Sequence, residues 1–178
     1  MCIRDRLKLV SGLRDEGTRR VLSWSAENLP VAGILEALDV LDVVVTTPDL
    51  RAMPVKLRPQ DPAGRKELLA GIEMVQVGIT GADGAIAETG TLFLGSGPGR
   101  PLLVSQMPRR HVVLLPASRL HPTLESWLAF QRQAGVPLER PGSLTALTGI
   151  SRSRDIELHP SIGIHGPRQR QVIIVQGV

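Results

Sequence analysis

Cysteine is nearly absent from this chain: Cys2 is the single one in 178 residues. These residues therefore form no disulfide among themselves and cannot alone ligate a cysteine-bound iron–sulfur cluster. Aromatics are almost as scarce. Trp24, Phe93, Trp127 and Phe130 are the whole set, with no tyrosine. The core must then be Leu, Val, Ile and Ala, the composition of helices on a buried parallel sheet. Few rings also leave little for nucleobases to stack on. Lysine is rare too: Lys8, Lys56 and Lys66 stand among 21 basic residues, and the other 18 are arginines. They lift the isoelectric point to 10.2 although the formal charge is only +4. Because the arginines are spread along the whole chain, the pattern argues against a nucleic-acid partner. No apolar run approaches the roughly 18 to 20 residues of a spanning helix, and no signal-peptide pattern opens the chain. The expectation is a cytoplasmic protein with no membrane partner.

The residues present fit one α/β domain over residues 1–178, a length that buries well over half of its unfolded surface. Met1–Arg6 connects poorly with the rest of the chain and reads as a non-native start. Leu7–Glu16 reads as a helix end, Val21–Trp24 as a short strand, and Pro30 as the first residue of a helix with Val31, Ile34, Leu35 and Leu38 on one face. Leu41–Thr46 reads as a buried strand, completing a βαβ unit and so a mainly parallel sheet flanked by helices. Thr47–Pro62, with four prolines, is a long loop of the kind that is functional or mobile. Helices are predicted over Gly64–Met74 and Pro122–Ala134. Strands are predicted over Leu92–Leu94, Val112–Leu115, Leu144–Leu147 and Val172–Val175, with all but Leu144–Leu147 placed in the parallel sheet.

The stretch Val77–Pro101 (VGITGADGAIAETGTLFLGSGPGRP) organises the chain. Its pattern predicts a short helix with Thr80 as N-cap, Asp83 in the first turn and Gly90 as a left-handed C-cap. Glu88 then sits at the negative end of the helix dipole, where local physics disfavours it. Broken local rules are enriched at functional sites. Gly81 and its neighbours form a glycine-rich strand–helix turn suited to an anion, or a tight turn shaped by geometry alone. Gly95–Gly99 lacks the spacing of a dinucleotide fingerprint and reads as a flexible strand connection, able to form a rim over a site.

Thr148–Glu157 repeats the logic. Ser151 or Ser153 caps a predicted short helix carrying Asp155 and Glu157, flanked by Arg152 and Arg154, a setting that favours a carboxylate or phosphate. The plainer alternative is an ordinary capped helix. His165 lies in a tight turn between Gly163 and Gly166-Pro167, as a surface hydrogen-bonder or a catalytic group. The histidines show no zinc spacing, and no GxSxG elbow is present.

Three blocks in order, the glycine–threonine block, Thr148-Gly149-Ile150-Ser151-Arg152-Ser153-Arg154-Asp155-Ile156-Glu157 and Gly163-Ile164-His165-Gly166-Pro167, resemble the lactate utilisation protein C family, the LUD domain. The resemblance runs from about Leu13 onward, and it implies a further N-terminal helical stretch, so that the chain is expected to be a fragment or to have a mis-called start. It implies an α/β fold like that of the NagB, ribose-5-phosphate isomerase and CoA-transferase group. It also implies a part in lactate catabolism, the oxidation of L-lactate to pyruvate beside iron–sulfur partner proteins, and favours a ligand-facing role for Thr80, Glu88, Thr89 and Thr91. The second block departs from the family's GPSRTADIE at Ile150, Ser153 and Arg154, which puts the inherited ligand in question.

Two functional readings are compatible with these residues. In one, the chain is a non-catalytic subunit or accessory factor of a lactate-oxidising complex, binding a small anionic ligand through Thr80, Gly81, Thr89, Gly90, Thr91, Ser151, Arg152, Ser153, Asp155 and His165. In the other it is an enzyme of acyl or CoA transfer or ligation, with Glu88 as nucleophile or base and backbone amides near Thr89–Thr91 stabilising an oxyanion. Whether the chain is catalytic, which cofactor it uses and whether it forms a homo-oligomer stay open.

Overall fold

In the computed structural model the described residues are 12–13, 17–48, 62–135, 142–150, 152–154, 160–162 and 166–177. Two sheets share them. The first is parallel throughout, from β1 (Arg20–Ser23), β2 (Val44–Thr46), β3 (Val77–Gly81), β6 (Arg110–Pro116) and β11 (Gln169–Val175), in the order β11-β6-β3-β1-β2. The second combines β4 (Gly84–Ile86), β5 (Thr91–Ser96), β7 (Leu120–His121) and β8 (Ser143–Thr148) in the order β7-β4-β5-β8. A two-stranded ribbon pairs β9 (Arg152–Arg154) with β10 (Pro160–Ile162).

The expected α/β class with a mainly parallel, helix-flanked sheet is observed. The central strands β3 and β6 read as unbroken apolar runs because both faces of a parallel sheet are covered. Val77, Ile79, Val112, Val113, Leu114 and Leu115 are all buried. Of the helices, α1 (Ile34–Asp39) packs beside β2 and α3 (Leu103–Gln106) against β3 and β6, while α2 (Pro62–Glu73) leads into β3. The final helix α4 (Leu124–Gln133) starts on a capping box formed by Thr123 and Ser126 and covers the second sheet. Its Trp127 stacks on Phe93 with ring centroids 3.8 Å apart, and Ile86 completes this smaller core. Two of the four aromatics are thus spent where a small sheet meets one helix and aliphatic volume runs short.

Several expectations are corrected. Leu92–Leu94 belongs to the second sheet, antiparallel to both neighbours. Strand β2 is shorter than Leu41–Thr46 and mostly exposed, because it is the edge strand. Pro30 lies in a bend, and the helix begins four residues later behind Gly33. The segment expected to be a helix between Thr80 and Gly90 is the end of β3, the short strand β4 and a turn instead. Asp83 donates its amide to the Phe93 carbonyl at 2.8 Å, and Gly84–Ile86 pairs with β5. Long-range pairing overrides a weak local helical preference. Gly90 does adopt the left-handed conformation (φ 66°), as the turn between β4 and β5 rather than as a helix cap. Likewise Arg152–Arg154 is a strand and not the first turn of a helix. Among the described residues no helix is long and apolar enough to cross a membrane.

Candidate functional site

The parallel sheet has one point where its winding reverses. From β1 the chain moves outward to β2, returns across β1 to β3, and then steps away through β6 and β11. The connections that leave the carboxyl ends of β1 and β3 lead to strands on opposite sides there, and such switch points are where open α/β sheets take ligands. Trp24 and Ser25 follow β1, and Asp83 follows β3.

A turn from the second sheet closes on this point. Gly97 and Arg100 exchange backbone hydrogen bonds around Pro98-Gly99. Pro98 at the first central position and Gly99 with φ 67° at the second make the residue pattern of a type II turn. The turn is not the flexible connection its glycines suggest. Gly99 carbonyl accepts the Ser25 amide at 2.9 Å, Pro98 carbonyl accepts Asn28 Nδ2 at 3.3 Å, and Pro101 carbonyl accepts Trp24 Nε1 at 3.3 Å. A Cβ at Gly99 would collide with Ser25 Oγ and Asn28 Nδ2, so only glycine permits this approach.

Arg100 anchors the turn's far side. Its guanidinium lies 4.4 Å from the Trp24 ring centroid and forms an ion pair with Asp83, whose Oδ2 also accepts the Gly95 amide at 2.6 Å. Both partners are about a quarter exposed, Arg100 at 23% and Asp83 at 25%. Above them opens a cavity of about 420 Å³ lined by Pro48, Ser96, Gly97, Arg100, Gln106 and Gly142. Its volume is that of a small-molecule site. One guanidinium donor is spent on Asp83, and a guanidinium carries five, so Arg100 retains donors for a ligand.

The residues singled out in the sequence are divided by this geometry. Gly81 lies beneath the turn, where a Cβ would press on Pro30, the Asn28 carbonyl and Trp24. Thr80 is fully buried inside β3 and is neither a cap nor a ligand-facing hydroxyl. Its Oγ1 is 2.8 Å from His111 Nε2. Burial, and then the positive charge of Arg170 on the neighbouring strand, push His111 down to about 3. Arg170, its own pKa lowered by burial, donates to the Gly149 carbonyl.

Glu88, Thr89 and Gly90 form the exposed β4–β5 turn, at the other end of β5 from the cavity rim. Five steps along a strand make that separation about 17 Å. At that end Thr89 Oγ1 and Thr91 Oγ1 are 2.7 Å apart, and Thr91 Oγ1 is 2.7 Å from Thr148 Oγ1. The glycine–threonine block and the Thr148 block therefore do meet. Arg152 and Ser153 lie in β9. Ser151, Asp155 and His165 lie outside the described residues. Sequence reasoning missed Trp24, Asp83 as an ion-pair partner, and Arg100. The one signal for them was the glycine turn read as a rim.

Comparison with known proteins places the LUD domain over residues 17–175. The chain is similar to a protein named lactate utilization protein C from Halalkalibacterium halodurans, 28% identical over 92% of this chain and 66% of that protein. A protein of the same name from a Geobacillus strain is 34% identical over 64% of this chain and 47% of its own length. The chain thus spans about half to two thirds of the length of these relatives. Among solved structures it is similar to a DUF162 family protein from Deinococcus radiodurans, at 23% identity, with 99% of each chain covered and a TM-score of 0.49. With the domain match running over nearly all of its length, the chain belongs to the LUD domain family.

Proposed function

We propose that this chain takes part in L-lactate utilisation, in the oxidation of lactate to pyruvate, and that the cavity at the switch point receives a small carboxylate. The observation that carries the reading is the run of relatives named lactate utilization protein C, 28% and 34% identical for two of them, within the matched domain. The geometry is compatible with it. A carboxylate entering the cavity meets the remaining Arg100 donors and the Gln106 side chain, and guanidinium–carboxylate bonds are charge-assisted. The Asp83 partner leaves the pair without net charge, which suits a singly charged ligand better than a multiply charged one.

In this reading the chain positions the ligand and the electrons leave through separate iron–sulfur proteins, since its one cysteine cannot hold a cluster. The test has two arms. A strain lacking the gene should lose growth on L-lactate and recover it with the intact chain. Calorimetry with L-lactate and with pyruvate should show saturable binding that Gln106→Ala weakens and Arg100→Gln abolishes. Restored growth without carboxylate binding would move the ligand elsewhere. Unimpaired growth of the deletion strain would end the lactate reading.

A further inference from the structure

The amino-terminal edge of the parallel sheet, opposite the edge that carries the switch-point cavity, holds a second concavity. It has a volume of about 310 Å³ and is lined by Thr18, Gln76, Arg109, Arg110, Arg168 and Gln169, together with the start of β3. These residues precede or open β3, β6 and β11, which are neighbours in the sheet. Their backbones are tied together. The Arg109 carbonyl accepts the Arg168 and Gln169 amides at 2.7 and 3.0 Å, and the Gln76 carbonyl accepts the Arg110 amide at 2.9 Å. The backbones of three arginines, one opening β6 and two just ahead of β6 and β11, are thereby fixed around one hollow.

Among the described residues no acidic side chain lines the hollow. Arg110 donates to Gln171 Oε1. Arg109 and Arg168 form no ion pair with any described carboxylate, for the ion pair found among the described residues joins Arg100 to Asp83. A concave wall lined by charges of one sign concentrates their field. The matching occupant is a compact group with several negative oxygens, which guanidinium forks bind in pairs. We propose that this hollow is a binding site for a small multivalent oxyanion, a phosphate-bearing molecule or a polycarboxylate, independent of the carboxyl-edge cavity. The volume admits a small molecule. The two flanking glutamines supply neutral donors that orient it.

The site and the lactate reading fail separately, because they use opposite edges of the sheet. The experiment is calorimetry on the full chain at low ionic strength, with pyrophosphate in one arm and citrate in the other. Saturable binding of at least one is expected, weakening as chloride is added. The double variant Arg109→Gln/Arg168→Gln should weaken it by roughly tenfold or more. Arg132→Gln, which removes an exposed arginine from α4, should leave it unchanged. If the double variant melts early, Arg168→Gln alone must show the same direction of loss. Binding that never saturates, or that Arg132→Gln weakens equally, would overturn the proposal. So would a single-stranded oligonucleotide that binds at these arginines more tightly than either small anion.

Discussion

Asp83 uses one carboxylate oxygen, Oδ2, to hold both the Arg100 guanidinium and the Gly95 amide. That oxygen ties the end of the parallel sheet to the last residues of β5 and to the turn over the cavity. Asp83→Asn keeps the shape and one acceptor but leaves Arg100 a partly buried cation without its counter-charge. The expected cost is about 1–3 kcal/mol in urea unfolding. Combined with Arg100→Gln, the loss should be smaller than the sum of the two single losses, since each removes the same contact. Strict additivity would mean that the pair contributes nothing.

His111 makes the stability of the sheet depend on acid. Its folded pKa of about 3 lies below the ordinary 6.5, chiefly through burial and then through Arg170. Below pH 6.5 the unfolded chain takes up a proton that the folded chain refuses. The His111 contribution is therefore intact above that pH and is lost as pH falls toward 3, by up to roughly 1.4 kcal/mol per pH unit. His111→Gln retains a partner for Thr80 and does not titrate. Its unfolding free energy should fall less steeply than that of the native chain between about pH 6 and pH 4. Equal slopes would assign the acid sensitivity to other groups.

Legibility in the sequence depends on the range of the forces involved. The strand at His111–Pro116 and the helix carrying Trp127 are legible because burial and periodicity write themselves into consecutive residues. Gly90 announces a left-handed turn wherever it sits. The segment Ala82–Ala87 is different. Its small residues favour neither state strongly, and what decides is the Phe93 carbonyl ten residues from the Asp83 amide it accepts. The Asp83–Arg100 pair spans 17 positions and has no local signature. Thr80 reads as a cap for the same reason, since its partner His111 is 31 positions away.

Two glycines should respond to alanine with opposite signs. A Cβ at Gly78 in β3 would run into the Val104 carbonyl, a backbone atom in α3 that cannot swing aside. Gly78→Ala should destabilise by about 1–3 kcal/mol as α3 is forced off the sheet. Gly71 lies in α2 with nothing within 4 Å of the added atom. Gly71→Ala should stabilise by about 0.5–1 kcal/mol through helix propensity. Thermal melts of the two variants check both, and a neutral Gly78→Ala would mean that α3 is not held against β3.

Glu88 decides between the two ends of the second sheet. It lies in the exposed β4–β5 turn, where its amide donates to the Pro122 carbonyl at 3.2 Å, and its carboxylate has no hydrogen-bond or ion-pair partner among the described residues. It lies in a turn and not at a helix C-terminus, so the dipole strain expected of it is absent. Glu88→Gln should leave stability within about 0.5 kcal/mol of native. If the ligand sits in the switch-point cavity, the same variant should sustain growth on L-lactate and bind pyruvate unchanged. Treatment of the native chain with an acyl-CoA should then leave no mass added at Glu88. A folded Glu88→Gln protein that fails to support growth, or an acyl adduct on Glu88, would shift the chemistry to the Thr89, Thr91 and Thr148 hydroxyls. In that case a carboxylate nucleophile beside them becomes the better account.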